Sequence, residues 1–510
     1  MRIVSGRRFT RSCTKDGACA VAAVTSEHKV PRAALAWRAM PARKPHAPRP
    51  AYESPAPERP TTAVGSLEER GRHDPYGAFR FRNFSFYAAG NLISVIGRQM
   101  LTISIEWEIY ARTNSATALG LVGLAIALPV VLLSLPAGHV ADRYSRKTIL
   151  LCTQALSAIC SFALAVISWK HFAIPAWPIL QRGNAWLGNV ASIFERHPNY
   201  HFTDFSLPLI YAVLLIAATA RTFGWAARSS YFPKLVPRDV FANAVTWNSS
   251  IFQIGSVAGP ALGGLLLVRA DFPLIYLLDG LCAMAFFLLV LPIRSGDQGG
   301  RAESNPWASL VVGLRFLLSK KVILATITLD MVAVLLGGAT ALLPIFADKV
   351  LHCGTIGLGW MRAAPGIGAF FMAILIAYLP PMKRAGRTLL WVVAGFGLAT
   401  ILFGLSRSFW LSLALLFLTG VFDSVSVVIR HTIIQLLTPD EMRGRISAVN
   451  NIFIGTSNEL GALESGLSAA YFGPVVSVVA GGIGTILVVL GVGAIWPQTR
   501  KIGALDRNLR

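Results

Sequence analysis

Charged residues are scarce in this chain. Asp, Glu, Lys and Arg make up 14% of its 510 residues, against 54% apolar residues. Soluble proteins carry about 25% charged residues, so the shortage excludes an ordinary water-soluble fold. Six cysteines are scattered at Cys13, Cys19, Cys152, Cys160, Cys282 and Cys353. None stand as C-x-x-C and none lie at zinc spacing from a histidine, which leaves them as small packing residues. No G-x-x-x-x-G-K-S/T run occurs, so ATP does not drive the protein directly. No catalytic triad or metal cluster is evident either, and the chain is expected not to be an enzyme and to hold no cofactor and no metal. Acidic residues are in deficit, with a formal charge of +22. The basic stretches carry Pro and Ala between their charges rather than stacking aromatics, which argues against a nucleic-acid partner.

Much of the positive charge lies ahead of the apolar runs. Residues 1–82 hold sixteen Lys and Arg against seven Asp and Glu, and eight prolines fall between Pro31 and Pro60. Residues 1–78 lack periodicity and are expected to form a disordered basic tail. The apolar run at 18–24 is too short for a signal peptide, and Met40 is a candidate start of translation.

From Asn83 onward long apolar runs dominate. A span of about 20 residues crosses a bilayer core, and twelve are read: 83–110, 117–139, 147–168, 207–230, 240–268, 273–293, 322–347, 355–379, 388–406, 409–436, 446–470 and 474–496. With both termini cytoplasmic, the inner loops hold fifteen Lys and Arg and the outer loops seven. That asymmetry follows the positive-inside rule. The expected partner is therefore the lipid bilayer of the cell's inner membrane, with a basic tail at 498–510.

The chain also repeats itself. WAARSSYFPKLVP at 225–237 aligns without gaps to VVIRHTIIQLLTP at 427–439. The offset of 202 matches Arg228 to Arg430, Asn248 to Asn450, Gly259 to Gly461 and Gly264 to Gly466. RKTILL at 146–151 matches GRTLLW at 386–391 with an offset of 240. The difference of 38 places an insertion at 169–206. These observations give an all-α polytopic fold of two six-helix halves, 79–293 and 322–497, joined by a cytoplasmic linker at 294–321. The insertion is expected to be an outward appendage. Its Pro175, Pro178, Gly183, Asn184, Gly188 and Pro198 break any single helix, leaving 186–194 as a short amphipathic turn on the membrane surface.

Two motifs carry a family resemblance. The first is GHVADRYSRK at 138–147, a polar turn between two apolar runs. The spacing of Gly138, Asp142, Arg143, Arg146 and Lys147 resembles the loop between helices two and three of the major facilitator superfamily, although Ser145 stands where that family usually has Gly. The second is Gly255, Gly259, Pro260, Gly263 and Gly264 in the fifth span. Small residues every four positions bring helix backbones together, and a proline bends one of them. This run resembles the antiporter motif of the same superfamily. The stretch from Leu436 onward, LLTPDEMRGRISAVN, resembles the exporter branch that includes the enterobactin exporter and the macrolide-efflux-like proteins.

The resemblance implies a substrate site between the halves and a secondary transporter with a monomeric working unit. It implies export of small amphipathic molecules, siderophore or drug-like, by proton antiport with alternating access. An uptake permease or a non-transporting receptor or scaffold of the same fold are the alternatives. It also implies that Asp142 faces the start of the eleventh span at an inner gate, with Asp239, Asp440 and Glu441 as partners for the basic residues nearby. Charges inside spans face a cavity or one another. Glu106, Arg221, Arg228, Asp330, Asp423, Arg430, Glu459 and Glu464 are the candidates for proton coupling or substrate binding. Arg98, Glu108, Asp279 and Arg362 are further intramembrane charges. Glu108 and Arg228 lie near span ends and are read as snorkelling side chains. Arg221 has Gly224 three residues on, where proton-coupled members have a Gly four residues on.

Overall fold

The computed structural model describes residues 74–169, 177–194, 205–293, 306–379, 382, 384–439 and 442–503. Among these residues the chain forms helices and turns only. They are α1 (Arg82–Thr113), α2 (Ala116–Arg143), α3 (Arg146–Ile167), α4 (Pro178–Phe194), α5 (Ser206–Tyr231), α6 (Phe241–Arg269), α7 (Phe272–Val290), α8 (Pro306–Ser319), α9 (Lys321–Leu336), α10 (Leu343–Ile345), α11 (Gly354–Tyr378), α12 (Ala385–Leu405), α13 (Phe409–Leu437), α14 (Arg443–Phe472) and α15 (Pro474–Ile495). The twelve expected spans correspond to all of these except α4 and α8, with α9 and α10 sharing one span. Ten helical segments are long and apolar enough to cross a membrane. The two further long helices are α1 and α14, which carry Arg98, Glu106 and Glu108, and Glu459 and Glu464. Their charges lower the hydropathy for a structural reason, since each is enclosed by neighbours of its own half and faces the other half.

The helices pair by the same rule twice. In the first half α1 packs on α6 and α7, α3 on α5 and α7, and α2 on α5. In the second half α9 packs on α14 and α15, α12 on α13 and α15, and α11 on α13. The halves meet through α2 with α14 and α6 with α11. The turn between α2 and α3 and the ends of the two halves' linker mark one end of the bundle, here the basic end. The opposite end is the far end.

Several local features follow from the sequence. Ser145 accepts the amide of Thr148 at 3.4 Å and so caps α3. Its φ of −59° needs no glycine, which accounts for the departure from the family's usual residue. α2 stays helical to Arg143, so only Tyr144 and Ser145 separate it from α3. Gly473, at φ +89°, makes the turn into α15, whose first residue is Pro474. The seventh span is broken at Gly337 and Gly338. A short 3₁₀ segment, α10 and a π turn to Val350 complete it.

Three segments outside the spans take a definite form, the first of them against expectation. The insertion forms one 17-residue helix, α4, despite Gly183, Asn184 and Gly188. Pro178 is its first residue, where a missing N–H costs nothing. A Cβ at Gly183 would meet Pro208 of α5 at 3.0 Å, so that glycine lets the two helices approach. Leu187 joins Leu121 and Leu207 in a small buried cluster. Second, the linker contains a helix, α8, whose Leu317 packs with Ile323, Ile434 and Ile446. Third, both tails are docked where they meet the bundle. Pro75 accepts Asn243 Nδ2 and Trp247 Nε1, each at 2.8 Å, and Tyr76 stacks on Trp247. At the other terminus Ile502 and Gly503 accept the amides of Gly386 and Ala385 at 3.3 and 3.2 Å, capping α12. The rest of the expected disordered tail, residues 1–73, lies outside the described residues, as do Pro175 and Pro198.

Candidate functional site

The cores show where the halves touch. At the far end one apolar cluster joins Ile103, Tyr110 and Leu119 of the first half to Leu342, Phe346, Leu358 and Met361 of the second. At the basic end the clusters stay within a half. Phe84, Tyr87, Leu150, Tyr231 and Phe286 belong to the first. Leu329, Leu389, Ile429 and Ile433 belong to the second.

The expected antiporter run lies at the centre of this arrangement. Gly255, Gly259, Pro260, Gly263 and Gly264 are all buried. A Cβ at Gly255 would meet Val95, one at Gly259 would meet Gln99, and one at Gly263 would meet Ile103, each at 2.7 Å or less. These three glycines therefore seat α6 on α1. Gly264 faces the other half, where a Cβ would meet the Thr355 carbonyl at 2.5 Å and Gly359 Cα at 2.8 Å. The repeat partners do the same. A Cβ at Gly461 would meet the Val334 carbonyl of α9 at 2.9 Å, and one at Gly466 would meet Gly120 Cα of α2 at 2.5 Å. The far end is thus closed by two backbone crossings related by the internal repeat. Toward the basic end α2 and α14 part: among the described residues Gly455 has only Val130 nearby, at 3.5 Å, and an added Cβ at Gly138 meets no heavy atom within 4 Å.

Asp142 and Arg143 are accordingly exposed. Lys147 does not pair with Asp239. Its Nζ donates to the carbonyls of Leu291 and Ile293 at 2.7 and 2.9 Å, at the carboxyl end of α7, where a cation complements the helix dipole. Arg146 opens α3 beside the Ser145 cap. Asp440 and Glu441 lie outside the described residues.

The intramembrane charges sort into pairs within and between halves. Within the second half Arg430 of α13 is ion-paired to Asp330 of α9, and both side chains are under 10% exposed. Asp423, two turns earlier on α13, is exposed and electrostatically coupled to this pair. Within the first half Arg228 donates to Asn91 Oδ1 at 2.8 Å and lies over the Phe286 ring at 5.0 Å. Glu108 has no exposed side-chain surface and pairs with Arg112 at 2.5 Å, while Tyr276 Oη donates to it as well. Neither Arg228 nor Glu108 snorkels: polar partners at membrane depth make emergence unnecessary. Asp279 accepts the Ser161 hydroxyl at 2.5 Å.

Two pairs cross between the halves. Arg221 of α5 meets Glu459 of α14 at 3.4 Å. Arg362 of α11 meets Glu106 of α1 at 3.2 Å. Arg362 also donates to the Thr340 carbonyl at 3.0 Å. That carbonyl belongs to the broken seventh span, where unwound backbone offers an acceptor that a continuous helix would have used. Glu459 feels both Arg221 and Arg362, so the four side chains form one electrostatic group. The second oxygen of Glu106 is buried without a partner among the described residues. Glu464 of α14 is half-buried, with Ser465 and Ser468 close by on the same helix. Arg362 was visible in the sequence as a charge in a span. Glu106 was visible in the same way, but the pairing of the two across 256 residues was not.

A polytopic helical bundle of this topology, with paired charges between two repeated halves, is a membrane transporter fold. The chain belongs to the major facilitator superfamily: the model of the family described as Major Facilitator Superfamily matches residues 87–405. Among curated proteins it is 28% identical over 402 residues to the enterobactin exporter EntS of Shigella boydii serotype 4, covering 78% of this chain and 87% of that protein. The enterobactin exporter of Escherichia coli is 27% identical over 400 residues, with the same coverage. Among solved structures, a D-xylose–proton symporter superposes with a TM-score of 0.61 at 13% identity, covering 83% of this chain and 100% of that one. A bacterial homologue of the human lysosomal transporter Spinster, in an inward-facing and occupied conformation, gives 0.60 at 14% identity, with coverages of 84% and 99%. The chain is thus a multi-pass membrane protein of a transporter family with exporter relatives.

Proposed function

We propose that this protein is a secondary active exporter of small amphipathic molecules in the cytoplasmic membrane, driven by proton entry. Its basic end and both termini face the cytoplasm, and the working unit is a monomer. The observation that carries the reading is the asymmetry of the bundle. The far end is closed by the Gly264–Gly359 and Gly466–Gly120 crossings, while the basic end is parted at Gly138 and Gly455. A molecule in the cytoplasm could then enter between the halves, and rocking the halves about the glycine crossings would release it on the other side. The relatives named as enterobactin exporters support a siderophore or similar molecule as cargo.

The inter-half pairs supply a coupling device. Opening the far end must pull Arg221 from Glu459 and Arg362 from Glu106. Two opposite charges at such distances attract by several kcal/mol at an effective dielectric of about 20. A proton on either glutamate removes that attraction, so protonation and separation of the halves favour each other. Asp142 and the basic residues Arg143, Arg146 and Lys147 would close the basic end in the other state. Loss of the gene should raise retention of an amphipathic fluorescent dye, and an uncoupler should abolish the difference between the wild type and the deletion. Lower retention in the deletion would indicate a permease, and unchanged retention would speak against transport of such compounds.

A further inference from the structure

Arg98 stands in the middle of α1, on the side that faces the charged groups. It is two helical turns from Asn91, which holds Arg228, and two turns before Glu106, which holds Arg362. Yet its guanidinium makes no hydrogen bond or ion pair with any described residue. It is only partly exposed and lies in electrostatic reach of Arg221, Arg228 and Asp279. One oxygen of Asp279 takes the Ser161 hydroxyl at 2.5 Å, and no hydrogen bond or ion pair joins Asp279 to Arg98. The partner of Arg228 is the neutral amide of Asn91. Around Arg98, then, three guanidinium groups face two carboxylates, Asp279 and Glu459. The region is one negative charge short. Inside a membrane protein an uncompensated guanidinium is costly, and such residues ordinarily mark a ligand path. Arginine also offers a fork of donors that fits an oxyanion, in a site poor in competing water.

We propose that Arg98, supported by Arg221 and Arg228, forms a subsite for one anionic group of the transported molecule, a carboxylate or an acidic hydroxyl. The proposal deepens the transport reading, which explains why such a molecule enters. The surplus of positive charge belongs to the wall made by α1 and α5. On the α13 wall the balance runs the other way, because Asp423 remains after Asp330 and Arg430 have paired. A cargo with an anionic head and an apolar body would therefore enter with its head toward the first half.

The full chain in lipid nanodiscs tests this by equilibrium dialysis, with empty nanodiscs subtracted. The probes are 4-(1-pyrenyl)butyrate and the uncharged alcohol of the same skeleton. The native protein should prefer the carboxylate. Arg98→Gln should weaken carboxylate binding roughly tenfold or more, the loss of one charge-assisted contact, and change alcohol binding less than twofold. Arg98→Lys, which keeps the charge but not the fork, should bind the carboxylate more weakly than the native protein and still prefer it to the alcohol. Removing an unpaired charge should also raise the melting temperature of the ligand-free Arg98→Gln protein, which separates the effect from misfolding. Equal binding of the two probes by the native protein, or an equal loss of both in Arg98→Gln, would overturn the subsite. Dye-retention assays judge transport separately: selective carboxylate binding without efflux leaves the subsite standing and defeats the export reading, and efflux without carboxylate preference does the reverse.

Discussion

Arg430 of α13 is ion-paired to Asp330 of α9, and its repeat counterpart Arg228 of α5 bonds Asn91 of α1 instead. The two halves therefore place an arginine at the same position and give it an acid in one half and an amide in the other. Breaking a buried pair by removing one partner costs about 3–5 kcal/mol, chiefly because the remaining charge is stranded. Asp330→Asn should recreate the arrangement of the first half and lower stability modestly. Arg430→Ala should strand Asp330 and lower it by the larger amount. Thermal unfolding in detergent checks the order of the two variants.

The glycine crossings predict a contrast between the two ends. Gly264→Val and Gly466→Val place side chains against backbone of the opposite half, where even a Cβ would lie within 2.8 Å of a neighbour. Both should reach the membrane and lose at least tenfold in efflux. Gly138→Ala meets no described atom within 4 Å and should leave the protein's yield and melting temperature unchanged. Yield, melting temperature and dye efflux measured side by side test this.

Much of this arrangement was legible in the sequence, because hydropathy reports spans directly and the offset of 202 residues pairs structurally equivalent positions. Gly259 and Gly461 do seat equivalent helices, and so do Gly264 and Gly466. Other features had no local signal. Arg221 and Glu459 are 238 residues apart, and no periodicity links them. Glu108 read as a snorkelling residue because it is near a span end, but Tyr276 of α7 reaches it inside the bundle. α4 read as broken because Gly183 and Gly188 are weak helix formers. Packing on α5 and α2 outweighs that penalty of about 1 kcal/mol per glycine.

The insertion itself is testable. Replacing residues 172–203 with a short Gly-Ser linker removes α4 and uncovers Leu121 and Leu207. Because the second half has no counterpart, the variant should still insert and export, with a lowered melting temperature. Loss of export with normal membrane abundance would assign α4 a part in transport.

The inter-half pairs bear on energy coupling. Glu459→Gln removes the charge that Arg221 meets at 3.4 Å, and Glu106→Gln does the same for Arg362. If either glutamate carries the coupled proton, its variant should lose at least tenfold in gradient-driven efflux yet still exchange substrate without a gradient. Proteoliposomes with an imposed pH step distinguish the two activities.

The most direct measurement is transport into everted membrane vesicles energised by respiration, using enterobactin as the probe. The proposed direction and coupling predict that vesicles containing this protein accumulate the compound, and that an uncoupler abolishes the accumulation. Accumulation in right-side-out vesicles instead, or accumulation that survives the uncoupler, would contradict a proton-driven exporter.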